Sequence, residues 1–395
     1  MNNASRYNKT RLALFLKGIF PSLLSLFLPR NKKLVILNSF HNCAFSNNTK
    51  FLFLYMIENC PEYEIEYVVN DDMLQKQLCT KYGNHFIQTK SFKGIVHALK
   101  AKCWIVNALE FPVGGFFLNF RRNVILLTHG VTSKQAGLAE KRVSLLKRIY
   151  YRIIRTDLSY ALTPCFEFRH IVAAHFGLPE KKILVAGFPR FDPLLQKVYT
   201  KIEKSHGEIS ILYAPTWRHY TDVKFFPFPD FNETELEEFC ERRKLVFYLR
   251  VHPRFENSIP EKIRNLPFVK IFSGLQYPEI NDYLLNFDIL ITDYSSIFYD
   301  FMILDRPLFF LMYDRDEYEK QIGLAVDFNR FATGYKPSTQ EEFIQCMEDA
   351  FERDSFKAAR RSVRKTACGE SKNNSRELVN LLKRKKLLYI IGAKK

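Results

Sequence analysis

From Tyr63 to Val69 the chain reads Tyr-Glu-Ile-Glu-Tyr-Val-Val, an alternation of apolar and polar positions rich in β-branched and aromatic residues that predicts a strand. The apolar run at 33–38 predicts another strand before it, and 49–57 has the spacing of a helix between the two. The alternation continues with a helix at 94–100, strands at 103–106 and 123–128, a helix at 141–155 and a strand at 182–186. A polar, basic stretch at 197–207 interrupts it, and it restarts with strands at 208–214, 245–251, 269–271, 289–292 and 308–312. Strands separated by segments of crossover length predict α/β units built on parallel sheets.

The length, 395 residues with 47% apolar content, suits two globular domains. The expected division is a basic, apolar arm at 1–30, an α/β domain at 31–200, a second at 205–345, and C-terminal helices with a basic tail at 346–395. Ligands of such sheets sit beyond the carboxyl ends of the strands.

The formal charge of +17 attracts nucleic acid, anionic membrane and anionic substrates alike, so its distribution matters more. No acidic residue precedes Glu58, whereas Arg6, Lys9, Arg11, Lys17, Arg30, Lys32, Lys33 and Lys50 do. The apolar run at 12–28 is interrupted by Lys17 and Pro21 and is short for a hydrocarbon layer of about 30 Å, so a spanning helix is not expected. No small-residue cleavage site follows it; an uncleaved interfacial anchor and an ordinary buried helix both fit. Val143, Leu146, Ile149 or Tyr150, and Ile153 share one face of the basic helix at 141–155, as a helix lying on an anionic bilayer would present them. No nucleic-acid motif accompanies the charge, and no nucleic-acid partner is expected. Eight cysteines without a CxxC pair or Cys/His cluster point to a reduced chain.

Chemistry concentrates where strands end. The strand 289–292 runs into Asp293, Tyr294, Ser295 and Ser296, with a helix expected at 297–304, so both serines fall at a helix N-terminus. Open backbone N–H groups and two hydroxyls there suit a phosphate, although a serine that simply caps the helix has the same sequence. Arg250 and Arg254 flank His252-Pro253 in an arrangement that fits an anion clamp or a histidine packed at a strand end. Pro215, Thr216, Trp217 and Arg218 close another strand; Trp217 fits a cleft or a core equally. His129 ends the strand 123–128, followed by Gly130 and Lys134, and is the candidate general base. Arg190 and Asp192 follow a Gly-Phe-Pro turn and fit either a cleft or a structural pair. Asp288, Asp293 and Asp300 match no ligand spacing, and no tightly bound metal or cofactor is expected.

In this order the segments resemble the CDP-glycerol glycerophosphotransferase family, whose members build teichoic-acid-like and capsular polyol-phosphate chains. The resemblance rests on His129-Gly130 with Lys134, Gly187-Phe188-Pro189-Arg190-Phe191-Asp192, Tyr213-Ala214-Pro215-Thr216-Trp217-Arg218, Arg250-Val251-His252-Pro253, the long signature from Ile289 to Phe301, Asp305-Arg306-Pro307 and Tyr313-Asp314. A weaker tail adds Gly369-Glu370-Ser371 and Arg376. Thr128 stands where the family often has Trp, and Thr132-Ser133 where Pro-Leu is usual.

The resemblance implies a GT-B-like fold, two Rossmann-like domains facing a central cleft, with the acceptor on the first and the donor on the second. It implies transfer of glycerol phosphate, or a related polyol phosphate, from a CDP-activated donor to a hydroxyl of a polymer or lipid-linked acceptor, with release of CMP. The place of work would be the cytoplasmic face of the membrane, held peripherally. His129 and His252 are then the catalytic candidates. Arg250, Thr292, Asp293, Ser295, Ser296, Arg218, Thr216, Pro215 and Arg376 are donor-binding candidates, and Gly130, Lys134, Arg190 and Asp192 belong to the acceptor or the cleft. The rivals are a GT-B nucleotide-sugar transferase or epimerase, and a non-catalytic basic protein that binds membranes or nucleic acid.

Overall fold

The computed structural model describes residues 3–131, 133–218, 220–251 and 253–389. They form two compact units: Met1–His129, Ala136–Asp192 and Ser371–Lys395 in unit 1, Gly130–Gln135 and Pro193–Glu370 in unit 2.

Unit 1 runs α1 (Asn3–Leu24), β1 (Asn31–Asn38), α2 (Asn47–Asn59), β2 (Glu64–Val68), α3 (Asp72–Tyr82), β3 (Phe86–Ile87), α4 (Phe92–Lys100), β4 (Ala101–Val106), β5 (Asn123–Leu126), α5 (Leu145–Asp157), β6 (Tyr160–Thr163), α6 (Arg169–Phe176), β7 (Ile183–Val185) and α7 (Asp192–Gln196), the last crossing into unit 2. Its seven strands are parallel in the order β3-β2-β1-β4-β5-β6-β7. The chain builds outward from β1 to β3, then returns to β4 on the other side of β1, which makes the β1–β4 junction the point where strand order reverses. Leu34, Val35, Ile36 and Leu37 are all buried, because a parallel sheet is covered on both faces and needs an unbroken apolar run. Side chains of Asp71, Ser91 and Ser144 cap α3, α4 and α5.

Unit 2 runs β8 (Ile209–Tyr213), α8 (Glu233–Arg243), β9 (Leu245–Leu249), α9 (Glu261–Arg264), β10 (Val269–Ile271), β11 (Ile289–Thr292), α10 (Ile297–Met302), β12 (Leu308–Phe310), α11 (Arg315–Gln321), α12 (Phe328–Phe331), α13 (Gln340–Glu352) and α14 (Lys357–Cys368). Five parallel strands in the order β10-β9-β8-β11-β12 reverse direction of growth between β8 and β11. The core is aromatic: Phe226, Phe247, Phe268, Phe309 and Phe343 pack with Tyr213 and Tyr335.

The division differs from the sequence expectation at both ends of unit 2. The basic stretch 197–207 does not hang between domains: Thr200 N–H donates to Asp282 O and Ile202 N–H to Asn286 Oδ1, which draws it onto unit 2. The 346–395 segment divides, α14 staying in unit 2 and α15 (Asn374–Arg384) returning to unit 1. The strands β3 and β6 were not anticipated, since two and four residues give too little pattern. β5 stops at Leu126 instead of 128 because Thr128 turns left-handed at φ 59°.

The segment expected as an arm is docked on unit 1 along one face. A Cβ on Gly18 would lie 2.1 Å from Gly114 O, and Ser22 Oγ accepts from Phe116 N at 3.0 Å, so the helix lies backbone to backbone on that loop. Its other face exposes Leu16, Phe20 and Leu23, with Phe27 beyond the helix end. The helix is thus packed on unit 1 along one face and carries an exposed apolar stripe on the other. No described helix is long and apolar enough to cross a membrane.

Candidate active site

In unit 2 the central strands β9, β8 and β11 lie side by side, and the residues singled out in the sequence follow their carboxyl ends. They fall into two sets. The first is spent on itself. Thr292 Oγ1 donates to Ala214 O at 2.7 Å, and Asp293 Oδ1 accepts from the N–H groups of Thr216 and Tyr294 at 2.8 and 2.7 Å. Arg218, its side chain wholly enclosed, pairs with Asp293 at 2.9 Å and spans Asp314 through Nε and Nη2 at 2.5 and 2.8 Å. Tyr220 donates to Asp314 at 3.0 Å, and Tyr313 lies under the guanidinium at 4.7 Å. Burial opposes the charge on Arg218, but the bonds to Asp314 and the charge of Asp293 outweigh it and hold its pKa above the usual arginine range. Thr292, Asp293 and Arg218, grouped with the donor ligands by resemblance, lock the strand-end loops to one another.

The second set is left open. Arg250 Nη1 and Thr216 Oγ1 are buried with no hydrogen-bond partner. Burial depresses the Arg250 pKa, and Glu279 and Glu256 only partly offset this, so the guanidinium is short of negative charge. Ser295 and Ser296 are half-buried, and Ser296, at the N-cap of α10, makes no side-chain capping bond. That removes the capping explanation for Ser296. α10 ends at Met302 rather than 304, and a helix of six residues contributes little dipole, so its open N–H groups matter more. Trp217 and Val251, the residues that follow Thr216 and Arg250 in the chain, line a cavity of about 690 Å³ together with Arg218, Phe255 and Ile259 among others. Trp217 stacks on Phe255 at 5.0 Å and is 44% exposed, so it is a cavity wall and not a core anchor. Pro215 is half-buried at the same strand end. His252 lies outside the described residues.

In unit 1, His129 is exposed just past β5, its ring edge-on to Phe40 at 5.7 Å. The backbone leading to it is clamped. Asn48 Nδ2 donates to Thr128 O at 3.0 Å, and Arg190 Nη1 donates to His129 O at 2.7 Å. Arg190 also donates from its N–H to Asn48 Oδ1 and from Nη1 to Asn47 Oδ1, at 3.3 and 3.4 Å. The left-handed Thr128, costly for a β-branched residue, is thus held from two sides. His175 is depressed to about 4, by burial first and then by His129 and Lys147.

Arg190 and Asp192 are not a pair. Asp192 accepts from Asn374 N and Nδ2 and from Ser375 N and Oγ, at 2.6, 2.9, 2.8 and 2.5 Å, and so fastens the start of α15. Gly187 makes room for this: a Cβ there would fall 1.7 Å from Asn374 Oδ1. Arg376, grouped with the donor residues, is exposed on α15 and belongs to unit 1. Gly130 and Lys134 belong to unit 2, where Lys134 forms an antiparallel bridge with Leu324. Asn47 and Asn48 were missed, although Ser46-Asn47-Asn48-Thr49 before an apolar run is a helix-start signal.

Among the described residues no group of three or more His, Cys, Asp or Glu side chains could hold a metal ion. Asp288 accepts from Ser210 N and Asp300 from Asn281 Nδ2, while Asp293 is bound as above. No disulfide joins the cysteines.

Known proteins share this fold. The solved structure of the wall teichoic acid polymerase TagF superimposes with a TM-score of 0.72 over 97% of this chain and 94% of that one, at 21% identity. A UDP-N-acetylglucosamine 2-epimerase from Listeria monocytogenes gives 0.58 at 11% identity, over 90% of this chain and 96% of that one. Both likenesses are of fold: the chain is α/β with parallel sheets, GT-B-like and two-domain. In sequence it is 28% identical over 349 residues to a teichoic acid poly(glycerol phosphate) polymerase of Bacillus spizizenii, covering 81% of this chain and 84% of that one. It is 26% identical to a teichoic acid glycerol-phosphate transferase of Staphylococcus aureus, over 80% and 84%. Residues 22–383, which hold every strand-end motif above, match the model of one family. The open arginine, the two serines and the clamped histidine are therefore those of a chain that belongs to the CDP-glycerol:poly(glycerophosphate) glycerophosphotransferase family.

Proposed function

We propose that this chain transfers glycerol phosphate, or a related polyol phosphate, from a CDP-activated donor to a hydroxyl of a cell-surface polymer or lipid-linked acceptor, releasing CMP. The observation that carries the donor assignment is the pair of buried polar atoms without partners, Arg250 Nη1 and Thr216 Oγ1, at strand ends beside β11 with its uncapped Ser296. A buried donor left open costs free energy that an anionic ligand recovers, and arginine meets phosphate with a planar fork. The adjoining aromatic-walled cavity has the volume of a small-molecule site and takes the nucleoside.

The chemistry is a displacement at phosphorus. The acceptor hydroxyl attacks the phosphorus that bears the polyol, its proton passes to His129, and the bond to the CMP phosphate breaks with the electron pair leaving on CMP. Arg250, Ser295, Ser296 and the backbone N–H groups near them stabilise the charge that builds on the phosphate oxygens, which is where catalysis of this kind gains most. His252 donates a hydrogen bond to the same donor phosphate.

Work at the cytoplasmic membrane face is supported by two exposed apolar patches of unit 1. On α5, Leu145, Leu146 and Ile149 are exposed while Tyr151 and Ile154 are buried, and Arg142, Arg148 and Arg152 are exposed around them. The outer face of α1 is the second patch. Apolar groups ringed by basic ones bind an anionic bilayer. Since α1 is docked on unit 1, serine substitutions at Leu145, Leu146, Phe20 and Phe27 test this better than truncation; unchanged sedimentation with anionic vesicles would refute it.

The test of function is CMP release from CDP-glycerol, CDP-ribitol and a UDP-sugar, each with and without a lipid-linked acceptor. Turnover of a CDP-polyol that requires the acceptor is expected, and turnover of the UDP-sugar alone would overturn the reading in favour of the sugar-transfer rival. His129→Ala should lower the rate by roughly 10²–10⁴-fold with the fold intact, the range for a general base. Near-normal turnover would remove the base assignment.

A further inference from the structure

The start of α2 resembles a second anion site, and it belongs to unit 1, whereas the groups assigned to the donor belong to unit 2. No side chain caps α2, a helix of thirteen residues, although Ser46 occupies its N-cap. Ser46 Oγ instead meets Ser39 Oγ at 3.0 Å. An uncapped N-terminus alone means little, because water satisfies such groups.

The second observation is Asn107. It follows β4 directly, is fully buried, and neither its Oδ1 nor its Nδ2 has a hydrogen-bond partner. Buried amides without partners are rare and mark a site that something polar completes. Register places it under α2. Leu37 pairs with Tyr67 and Ile105, and Tyr67 OH contacts Thr49 Oγ1 of α2 at 2.9 Å, so this face of the sheet is the one α2 covers. Ser39 and Asn107 directly follow the paired Asn38 and Val106, at the β1–β4 reversal, and Ser39 Oγ reaches Ser46 Oγ at the start of the helix. Arg190 brings positive charge to the same turn through its bond to Asn47 Oδ1, and it also holds His129 O.

We propose that the first turn of α2, with Ser39, Ser46 and Asn107, binds a phosphodiester of the acceptor chain. Helix N–H groups, hydroxyls and an amide donor are the chemistry of phosphate recognition. The proposal rests on the transfer reading and refines it. An acceptor held by its last phosphodiester presents a terminal polyol hydroxyl nearby, and the arginine at this turn also fixes the backbone of the proposed base. The acceptor is then a chain that already ends in polyol phosphate, in preference to a neutral glycan.

Binding to the full chain of glycerophosphoglycerol, inorganic phosphate, glycerol and CDP-glycerol, followed by calorimetry, tests this. Glycerophosphoglycerol should bind and glycerol should not, with Asn107→Asp weakening it roughly tenfold or more by setting a carboxylate against the phosphate. Ser46→Ala, at a half-buried position that tolerates the change, should weaken it by a few-fold and serves where Asn107→Asp unfolds. In transfer assays both variants should raise KM for an acceptor whose chain ends in a polyol phosphate with a free terminal hydroxyl more than KM for CDP-glycerol. If CDP-glycerol binds but glycerophosphoglycerol does not, or binds both variants as it binds the wild type, the proposal fails while the transfer reading stands. Inorganic phosphate binding without glycerophosphoglycerol binding would overturn the acceptor assignment in favour of a free-phosphate site. Failure of CDP-glycerol itself to bind would instead sink the transfer reading, and this refinement with it.

Discussion

Arg218 and Arg250 follow neighbouring strands of one sheet and look alike in sequence, each a cation just beyond an apolar run, yet their surroundings are opposite. Arg218 is enclosed by Asp293, Asp314 and Tyr313. Arg250 is enclosed by little that can answer its charge: Phe272 lies 5.5 Å from its guanidinium, its nearest carboxylates give only partial relief, and Nη1 meets nothing. The difference teaches where to look for a ligand. A buried charge that the protein has neutralised is structural, and one that it has not neutralised is waiting for something.

The comparison breaks most visibly on Arg218. Arg218→Leu leaves two aspartates without their partner and should lower unfolding free energy by about 3–5 kcal/mol, the usual effect of breaking a buried pair from one side. Urea unfolding measures it, and a loss of activity without loss of stability would make Arg218 a ligand after all. Arg250→Leu should do the reverse. Stability is kept or rises, while KM for CDP-glycerol increases roughly 10–100-fold, the worth of one charge-assisted hydrogen bond. A destabilised variant with unchanged KM would erase the distinction. The smallest effect is on acid stability. Burial would raise the Asp314 pKa, but the bonds from Arg218 outweigh it and carry it below the ordinary aspartate value of 3.8. With the folded pKa the lower one, the unfolded chain binds more protons in acid; the contribution is present above pH 3.8 and is lost as pH falls through the folded pKa. Asp314→Asn should therefore flatten the acid limb of a stability–pH curve below about pH 4, with no comparable change near neutrality. An unaltered limb would show that the Arg218 pair does not control it.

Strand ends were legible in the sequence because each motif abuts an apolar run: His129 after 123–126, Ser295 and Ser296 after 289–292, Arg250 after 245–249. The alternation of strand and helix, and with it the α/β class, was legible for the same reason. Partnership was not. Arg218 meets Asp314 across 96 residues, and Asp192 meets Asn374 across 182, and no local pattern encodes such distances. Thr292, Asp293 and Arg218 belong to the family motif, and membership alone could not separate residues that hold the loops from residues left open. The Asn47–Asn48 clamp was within reach of the sequence, since its residues advertise a helix start, but the left-handed Thr128 that it restrains was not.

The grip of Asp192 on Asn374 and Ser375 bears on the order in which the protein takes shape during synthesis. All seven strands of unit 1 leave the ribosome before residue 193, and the strands of unit 2 follow as one uninterrupted stretch. α15, whose first residues saturate the Asp192 carboxylate and whose continuation gives Leu387 O to Asn123 and Tyr389 O to Tyr63, emerges last. Unit 1 is thus the first to be started and the last to be finished, with a buried carboxylate unsatisfied throughout translation of the intervening unit. A nascent chain stalled before residue 374 would carry every strand of unit 2 but an unfinished unit 1.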